Sequence, residues 1–339
     1  MQVTNRQLRL ACRPSGMVGP ETFELVEEPL RELADGEFLV RTAYLSIDPT
    51  NRVWIRAEPS YLPPVEIGAV MRGGAAGAVV ESRNDAFPVG TNVLGMLGWQ
   101  EYAICGRDVS ANPVPPGVPL QHMMSVYGAT GITAYFGMLE IADPNEGDTV
   151  VVSGAAGATG SIAGQIAKIR GAHVIGIAGT DEKCRWLTDD LGFDGAINYK
   201  TEDLDVRLAQ LCPDGVDVFF DNVGGSTLDT LLRHLALGAR IALCGAISTY
   251  NNDTTPPPIH WYMNLVVQRA RMQGFLVLDY VARFPEAVLQ LVQWVSEGRI
   301  AWRDHVVDGL EQAPDALNML FTGENTGKLM VRVGPDPTP

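Results

Sequence analysis

The feature that most constrains this chain is a glycine-rich turn between a predicted strand and a predicted helix. The turn reads GAAGATG at residues 154–160. With Ala155 in the first position it fits the G-x-G-x-x-G pattern, in which backbone N–H groups approach a pyrophosphate at a helix N-terminus. A side chain at Gly157 would hold the phosphates away, and Gly160 and Gly164 would let the helix pack closely on the sheet. The turn therefore predicts a dinucleotide site.

The segment around this turn alternates predicted strands and helices. The strand cores are short apolar runs, which is typical of a parallel sheet covered on both faces. The strand candidates are 149–153, 173–178, 196–198, 216–221, 240–244 and 274–278, and the helix candidates are 160–170, 181–191, 204–212 and 227–234. Six strands with intervening helices predict a doubly wound α/β domain of the Rossmann type.

The two ends of the chain predict a second, β-rich domain. A length of 339 residues favours two domains. Pro and Gly clusters separate the short alternating segments near the N-terminus. The further strand candidates are 7–11, 22–26, 37–45, 77–81, 102–105, 305–308 and 328–333, and the further helix candidates are 123–139, 284–297 and 315–320. We expect 1–125 and 300–339 to form one domain, 126–299 to be inserted in it, and 335–339 to be a frayed tail.

Charge and cysteine usage restrict the partners and the compartment. The net charge is -15, which disfavours nucleic acid and anionic membrane surfaces as partners. Five cysteines without a two-to-four-residue spacing argue against a disulfide framework or a zinc knuckle. The first residues lack a basic region followed by an apolar stretch, and no run approaches the length of a membrane span. We therefore expect a cytoplasmic protein with neither a nucleic-acid nor a membrane partner.

The end of the second predicted strand of the α/β domain favours NADP over NAD as the cofactor. An NAD site usually has Asp or Glu there to bind the ribose 2′-hydroxyl. Here the strand ends in Gly179 and Thr180, and Lys183 follows one helical turn later. A 2′-phosphate needs cations and donors at this place. The alternative is that Lys183 is only a solvated lysine beside two first-turn acids.

Seven collinear motifs resemble a known family. They are VMRGG at 70–74, YGATGITAY at 127–135, DEK at 181–183, NYK at 198–200, DNVGG at 221–225, CGAISTYN at 244–251 and GENTGK at 323–328. The chain is similar to the zinc-free medium-chain dehydrogenases/reductases that include leukotriene B4 12-hydroxydehydrogenase/prostaglandin reductases, 2-alkenal reductases and curcumin reductases. The resemblance implies a GroES-like catalytic domain with an inserted Rossmann domain, a homodimer, and NADPH-dependent reduction of the carbon–carbon double bond of α,β-unsaturated ketones or aldehydes.

The resemblance also implies roles for individual residues. Lys183 and Tyr199 would hold the adenosine 2′-phosphate, while Asn222 and Asn325 would bond to the cofactor. The pyrophosphate loop would comprise Ala156, Gly157, Ala158, Thr159 and Gly160. The nicotinamide end would be lined by Cys244, Gly245, Ala246, Ile247, Ser248, Tyr250, Phe275, Leu276 and Val277.

The chemistry of enone reduction makes Tyr250 the catalytic candidate. Hydride transfer to the β-carbon leaves negative charge on the carbonyl oxygen, which needs a hydrogen-bond donor, and the α-carbon then needs a proton. The Tyr250 hydroxyl can supply either, although it could instead only position the ribose, with solvent as the proton donor. Family members often have Asp-Pro-Tyr-Met-Arg where this chain has DPTNR at 48–52. Thr50 thus replaces a tyrosine that would form one wall of the pocket, and the identity of the substrate is not determined.

Several alternatives remain beside this hypothesis. Zinc-dependent alcohol oxidation is disfavoured because Cys12, Cys105 and His122 lack the spacing of a ligand set, and we predict no metal site. The same cofactor could serve quinone reduction, or the chain could bind NADPH without catalysis. Three aromatic residues could wall the substrate pocket or belong to the core, and they are Trp54, Tyr61 and Trp99. A proline-rich run at 254–258 is expected to stiffen a loop.

Overall fold

The computed structural model describes residues 3–58, 60–106, 109–252 and 257–337. The chain divides into two compact units. Unit 1 comprises Met1–Met124, Asp304–Asn325 and Leu329–Pro339, and unit 2 comprises Ser125–Arg303 and Thr326–Lys328. Both ends of the chain thus contribute to unit 1, and unit 2 is mainly one continuous middle stretch.

The N-terminal part of unit 1 is built mostly of short strands. Its elements are β1 (Thr4–Leu10), β2 (Phe23–Pro29), β3 (Phe38–Ser46), α1 (Pro49–Trp54), β4 (Ala75–Ser82), β5 (Asn92–Gly95), β6 (Tyr102–Cys105), β7 (Ala111–Pro113) and α2 (Leu120–Met124). Strands β1 and β2 form an antiparallel pair. Strand β3 is buried along almost its whole length because β4 and β6 both pair with it.

Unit 2 contains the alternating segment of the sequence. Its elements are α3 (Ala129–Phe136), β8 (Thr149–Ser153), α4 (Ala158–Ile169), β9 (His173–Ala178), α5 (Asp181–Arg185), β10 (Gly195–Asn198), α6 (Leu204–Leu211), β11 (Val216–Asp221), α7 (Gly225–Leu231), β12 (Leu235–Leu243), α8 (Met263–Val267), β13 (Arg271–Gly274) and α9 (Phe284–Ser296). The strands are parallel and follow the order β10-β9-β8-β11-β12-β13. The predicted doubly wound sheet is confirmed.

This strand order fixes where a ligand can bind in unit 2. From β8 the chain first builds outward through β9 and β10, and then returns to place β11 on the other side of β8. A crevice opens at such a reversal, at the carboxyl ends of the two central strands. The turn after β8 and the loop after β11 both begin at this edge.

Two apolar layers bury the faces of the parallel sheet. One contains Ile132 of α3, Ile162 of α4 and Leu291 of α9. The other contains Leu208 of α6 and Leu228 of α7. The strands between them are shielded on both sides, which accounts for their continuous apolar runs.

The chain returns to unit 1 after α9. The returning elements are β14 (Asp304–Asp308), α10 (Ala313–Thr322) and β15 (Lys328–Arg332). Strand β15 pairs antiparallel with β3, so the sheet runs β14-β15-β3-β4-β5-β7, with β6 also on β3. Near the C-terminus, Tyr44 donates a hydrogen bond to Asp336 at 2.9 Å, so the part of the predicted frayed tail that the structure describes is attached at this point.

Several predicted elements are wrong in extent. The helix expected over 123–139 is interrupted: α2 ends at Met124, the extended backbone of Gly128 precedes α3, and a π-helix covers Gly137–Ala142. The strand expected over 274–278 is instead Arg271–Gly274, followed by a 3-10 helix over Val277–Arg283, because pairing with β12 ends at Gly274.

Other differences concern elements that are too short, or too irregular in sequence, to give a recognisable pattern. Helix α1 and strands β5 and β7 were not predicted, since each spans six residues or fewer. Strand β12 begins at Leu235 rather than at 240. The sequence did not predict the earlier start because Gly238 usually breaks a strand, whereas here it adopts a φ of 77° within one. The helix expected over 181–191 is α5 followed by a π-helix, Trp186–Asp190. No helix in the described ranges is long and apolar enough to cross a membrane.

Candidate functional site

The turn between β8 and α4 has the geometry that its sequence predicts. Gly154 has a φ of 57°, and its carbonyl accepts a hydrogen bond from Gly157 N at 3.0 Å. Gly157 is the N-cap of α4 and has no side chain with which to cap the helix. The first N–H groups of α4, which begins at Ala158, therefore follow a turn that is built only of Gly and Ala residues. Such a turn suits a phosphate.

Two glycines of α4 prove to have different neighbours from those expected. A Cβ at Gly160 would lie 2.4 Å from Gly154 O and 2.9 Å from Ala155 Cα, so this glycine closes the turn rather than spacing the helix from the sheet. A Cβ at Gly164 would lie 2.0 Å from Phe193 Cζ, so this position makes room for an aromatic ring. The residues present fit a bound pyrophosphate, because the tight turn tolerates no side chain at Gly160.

A short segment from the C-terminal region crosses this turn. Gly327 N donates a hydrogen bond to Ala156 O at 2.8 Å, and Gly157 and Gly327 form a β-bridge. Gly327 has a φ of 68°, and a Cβ there would lie 1.9 Å from Arg303 O. The second glycine of the GENTGK motif is thus required by the close approach of two backbones. Asn325 of the same motif is buried in unit 1.

Basic and aromatic side chains lie at the carboxyl end of β9. Thr180 caps α5 by accepting a hydrogen bond from Lys183 N at 3.2 Å. Burial lowers the pKa of Lys183, and the nearby charge of Lys200 lowers it further, while Glu182 opposes both. The side chain of Tyr199 lies over Gly179, where a Cβ would be 3.1 Å from Tyr199 Cε1. This end therefore combines two lysines with a phenol hydroxyl, and both kinds of group can donate hydrogen bonds to a phosphate.

A buried network joins the carboxyl ends of the two central strands. Ser153 Oγ donates to Asp221 Oδ1 at 2.7 Å and accepts from Asn222 N at 2.9 Å. Asn222 Nδ2 donates to Ser153 O at 2.7 Å. Burial raises the pKa of Asp221, whereas its bonds from Gly224 N, Ser153 and Val223 N favour the carboxylate. Sequence reasoning missed Ser153 and Asp221, although the latter opens the DNVGG motif.

The loop after β12 is bonded to this network. Cys244 N and Gly245 N donate to Asp221 O at 2.8 and 3.1 Å, and Ile247 N donates to Asn222 O at 3.2 Å. Ser248 Oγ donates to Val223 O at 2.7 Å. The structure thus brings the predicted loop residues beside the predicted Asn222.

Tyr250 closes the same loop. Its hydroxyl accepts a hydrogen bond from Ala246 N at 3.0 Å, and a Cβ at Gly245 would lie 3.2 Å from the hydroxyl oxygen. A phenol hydroxyl can act both as an acceptor and as a donor of a hydrogen bond. Burial raises the pKa of Cys244 to about 12, so the neighbouring thiol stays protonated near neutral pH.

The segment after β13 contains two half-buried residues, Phe275 and Val277, and one exposed residue, Leu276. The Phe275 ring packs edge-on to Phe220, with the ring centroids 6.3 Å apart. A Cβ at Gly137 would lie 2.3 Å from Phe275 Cζ, so the missing side chain leaves space for the ring. Leu276 is exposed and Val277 is half-buried against the core.

The aromatic residues of unit 1 divide between the core and the surface. Trp54 and Trp99 are buried, whereas 42% of Tyr61 is exposed. The hydroxyls of Thr50 and Tyr61 are hydrogen-bonded to each other. The aromatic ring of Tyr61 therefore lies next to Thr50, the position at which family members often have a tyrosine. Residues 254–256 of the proline-rich run lie outside the described residues.

Metal-binding side chains do not converge in the described parts of the chain. Within these ranges, no group of three or more His, Cys, Asp or Glu side chains could hold a metal ion. His234 and His260 instead pair with Asp205 and Asp229, at 2.7 and 2.9 Å.

Comparison with known proteins extends over nearly the whole chain. Two family models match, described as the N-terminal domain of oxidoreductase over residues 6–112 and as zinc-binding dehydrogenase over residues 158–294. The NADPH-dependent curcumin reductase of Escherichia coli is 42% identical over 342 residues, covering 98% of each chain. Prostaglandin reductase 1 of Bos taurus is 40% identical over 315 residues, covering 91% of this chain and 93% of the other. The crystal structure of CurA from Vibrio vulnificus in complex with NADPH matches with a TM-score of 0.92 and 42% identity, covering 97% of this chain and 99% of that one.

Proposed function

Because the chain belongs to the zinc-free reductase family of the medium-chain dehydrogenase/reductase superfamily, we propose that it reduces the carbon–carbon double bond of α,β-unsaturated ketones or aldehydes with NADPH. The observation that carries the proposal is the pair of cofactor-binding features on one edge of the parallel sheet. A side-chain-free turn precedes α4, and Lys183 with Tyr199 replaces the acid of an NAD site at the end of β9.

Most of the residues proposed to hold NADPH belong to unit 2, and Asn325 of the GENTGK motif belongs to unit 1. Lys183 and Tyr199 bind the 2′-phosphate. The pyrophosphate and the nicotinamide end are bound by Ala156, Gly157, Ala158, Thr159, Gly160, Asn222, Cys244, Gly245, Ala246, Ile247, Ser248, Tyr250, Phe275, Leu276, Val277 and Asn325. When bound, the cofactor supplies the hydride. We assign residues 126–299 to the NADP-binding domain, and 1–125 with 300–339 to the GroES-like catalytic domain.

The protein's own part in the reaction is to stabilise charge and to deliver a proton. Negative charge develops on the carbonyl oxygen of the substrate as its β-carbon is reduced, so a fixed donor lowers the barrier. Tyr250 is the proposed donor. Its hydroxyl oxygen already accepts a hydrogen bond from Ala246 N, which fixes the phenol and polarises its O–H bond.

The test is consumption of NADPH, followed by its absorbance, with a panel of enones, 2-alkenals and quinones, repeated with NADH. Turnover of enones or alkenals with NADPH, and much less with NADH, supports the proposal. Turnover of quinones alone would make the chain an NADPH:quinone reductase. Binding of NADPH without turnover of any substrate would favour a non-catalytic role.

A homodimer is the proposed assembly. Strand β13 is the edge strand of the parallel sheet, and apolar side chains are exposed on the segments around it. These side chains are Trp261, Tyr262, Met263, Val266, Val267, Leu278 and Val281. Apolar surface of this extent beside an open sheet edge is typical of a protein–protein interface. A second copy would cover it and would extend the sheet.

The cytoplasm is the proposed location. All five cysteines are free thiols, as expected in a reducing compartment. The net charge of -15 also argues against nucleic acid and anionic membranes as partners, which leaves a small hydrophobic enone or enal as the proposed ligand beside NADPH. Cell fractionation with an antibody to the chain would test the location, and recovery with membranes or with an oxidising compartment would contradict it.

A further inference from the structure

The carboxyl group of Asp221 shapes the turn that follows β11. Asp221 is fully buried, and its Oδ1 accepts hydrogen bonds from Val223 N at 2.9 Å and from Gly224 N at 3.0 Å. Its Oδ2 also accepts from Gly224 N, at 3.1 Å. An aspartate that accepts backbone N–H groups two and three residues later folds the chain into a tight turn. The carboxyl group therefore fixes the backbone of residues 222–224, and its bond from Ser153 Oγ attaches this turn to β8.

The same turn holds the loop 244–250 by its carbonyl oxygens. The carbonyl oxygens of residues 221–223 all accept hydrogen bonds from this loop. Their donors are the backbone N–H groups of Cys244, Gly245, Ile247 and Ser248, at 2.8, 3.1, 3.2 and 3.1 Å. A shift of the turn is therefore passed directly to the loop.

The turn also touches the residue that holds the Tyr250 phenol. A Cβ at Gly224 would lie 2.9 Å from Ala246 Cβ, so the two backbones approach closely. Ala246 N is the group that donates to the Tyr250 hydroxyl at 3.0 Å. A short path of contacts thus leads from the Asp221 carboxyl group through Gly224 and Ala246 to the phenol.

We propose that Asp221 is a positioning residue for Tyr250: its carboxyl group fixes the turn 222–224, the turn holds Ala246, and the Ala246 N–H holds the phenol in place to donate to the substrate. The inference rests on the proposed function and adds to it a buried residue that acts through the protein. A donor stabilises a developing oxyanion best when it is already in place before the charge appears.

Asp221→Asn keeps the shape of the side chain but replaces one oxygen with an amide nitrogen. Because Gly224 N bonds to both carboxyl oxygens, either orientation of the amide places a donor against this backbone donor. We expect kcat for an enone to fall roughly tenfold, since a displacement of about 1 Å can cost about a hundredfold in rate. The Kd for NADPH should change little, because Lys183, Tyr199 and the turn at 154–160 are proposed to bind the other end of the cofactor.

The decisive measurement is a double-mutant cycle with Tyr250→Phe. If Asp221 acts through the phenol, Asp221→Asn should lower kcat in the wild type but cause almost no further loss in Tyr250→Phe. Equal losses in the two backgrounds would overturn the inference, and so would an unchanged kcat in Asp221→Asn.

Two further variants complete the kinetic test. Ser153→Ala removes one bond to the carboxyl group and leaves Asp221 itself in place, so it gives a smaller loss that should again be absent in Tyr250→Phe. It decides the question if Asp221→Asn does not fold. Asp217→Asn is the matched control: Asp217 lies near the start of the same strand, its Oδ2 accepts from Thr149 N at 2.8 Å, and its replacement should leave kcat unchanged.

Hydrogen exchange of the backbone amides, measured without substrate, separates this inference from the proposed function. Asp221→Asn should accelerate exchange at residues 244–250 and leave exchange in β9 as in the wild type. Unchanged exchange at 244–250 would overturn the inference even in an active enzyme. A wild type that reduces no enone would refute the proposed function, and exchange alone would then decide whether Asp221 holds the loop of Tyr250.

Discussion

Tyr250 is the residue on which the proposed chemistry depends most. We expect Tyr250→Phe to lower kcat by about a hundredfold, because one fixed donor at a developing oxyanion contributes on that scale. The measurement is steady-state turnover of an enone together with the Kd for NADPH. Tyr262→Phe, which removes a phenol hydroxyl outside the proposed NADPH site, is the control and should leave both values unchanged. An unchanged kcat in Tyr250→Phe would leave its hydroxyl with a structural role only, closing the loop at Ala246.

Ser153 carries a stability prediction at the same scale. Ser153→Ala removes a donor to the buried carboxylate of Asp221 and an acceptor for Asn222 N. We expect the free energy of unfolding to fall by about 1–3 kcal/mol, as when a buried polar group loses its partner. Urea denaturation checks this, with Ser226→Ala at an exposed position as the control. Equal midpoints for the two variants would contradict the prediction.

The sequence identified some of these residues and not others. The turn at 154–160 was recognisable because only small residues fit there, which is a property of residue type. Ser153 was missed because a serine at a strand end has many uses. Its partner Asp221 is 68 positions away and becomes its neighbour only when β8 and β11 pair.

At the scale of elements, the turn before α4 depends on a glycine within the helix itself. Alanine normally stabilises a helix relative to glycine by about 1 kcal/mol. Gly160→Ala should do the opposite, because its Cβ would lie 2.4 Å from Gly154 O, a backbone atom that cannot move away alone. We expect a lower midpoint of urea unfolding and, in a direct titration, a higher Kd for NADPH.

The control for this helix prediction is Gly74→Ala. A Cβ there would lie 3.5 Å from Ser46 Cβ, which is ordinary contact, so little loss of stability is expected. If Gly160→Ala were as stable as the wild type and bound NADPH equally well, the turn would be more deformable than its geometry indicates.

At the scale of the whole molecule, the apolar surface beside β13 predicts association. Val267→Glu places a charge on this surface, where the valine is 59% exposed. If two copies meet there, burial of the unpaired carboxylate should convert the dimer to a monomer. Light scattering after size-exclusion chromatography measures the mass. Val206→Glu, on the similarly exposed α6, is the control and should leave the dimer intact. A monomeric wild type would refute the proposed dimer.

The amino-acid sequence by itself determined the α/β core, the glycine turn and the family. These follow from short-range properties: apolar runs that suit a sheet covered on both faces, and positions where no side chain fits. The folded chain decided which distant segments become neighbours. In the tertiary structure, Ser153 donates a hydrogen bond to Asp221, the loop 244–250 is hydrogen-bonded to residues 221–223, and Lys200 lies over Gly179. Each of these contacts joins segments that are distant in the sequence, and only strand pairing brings them within reach of one another.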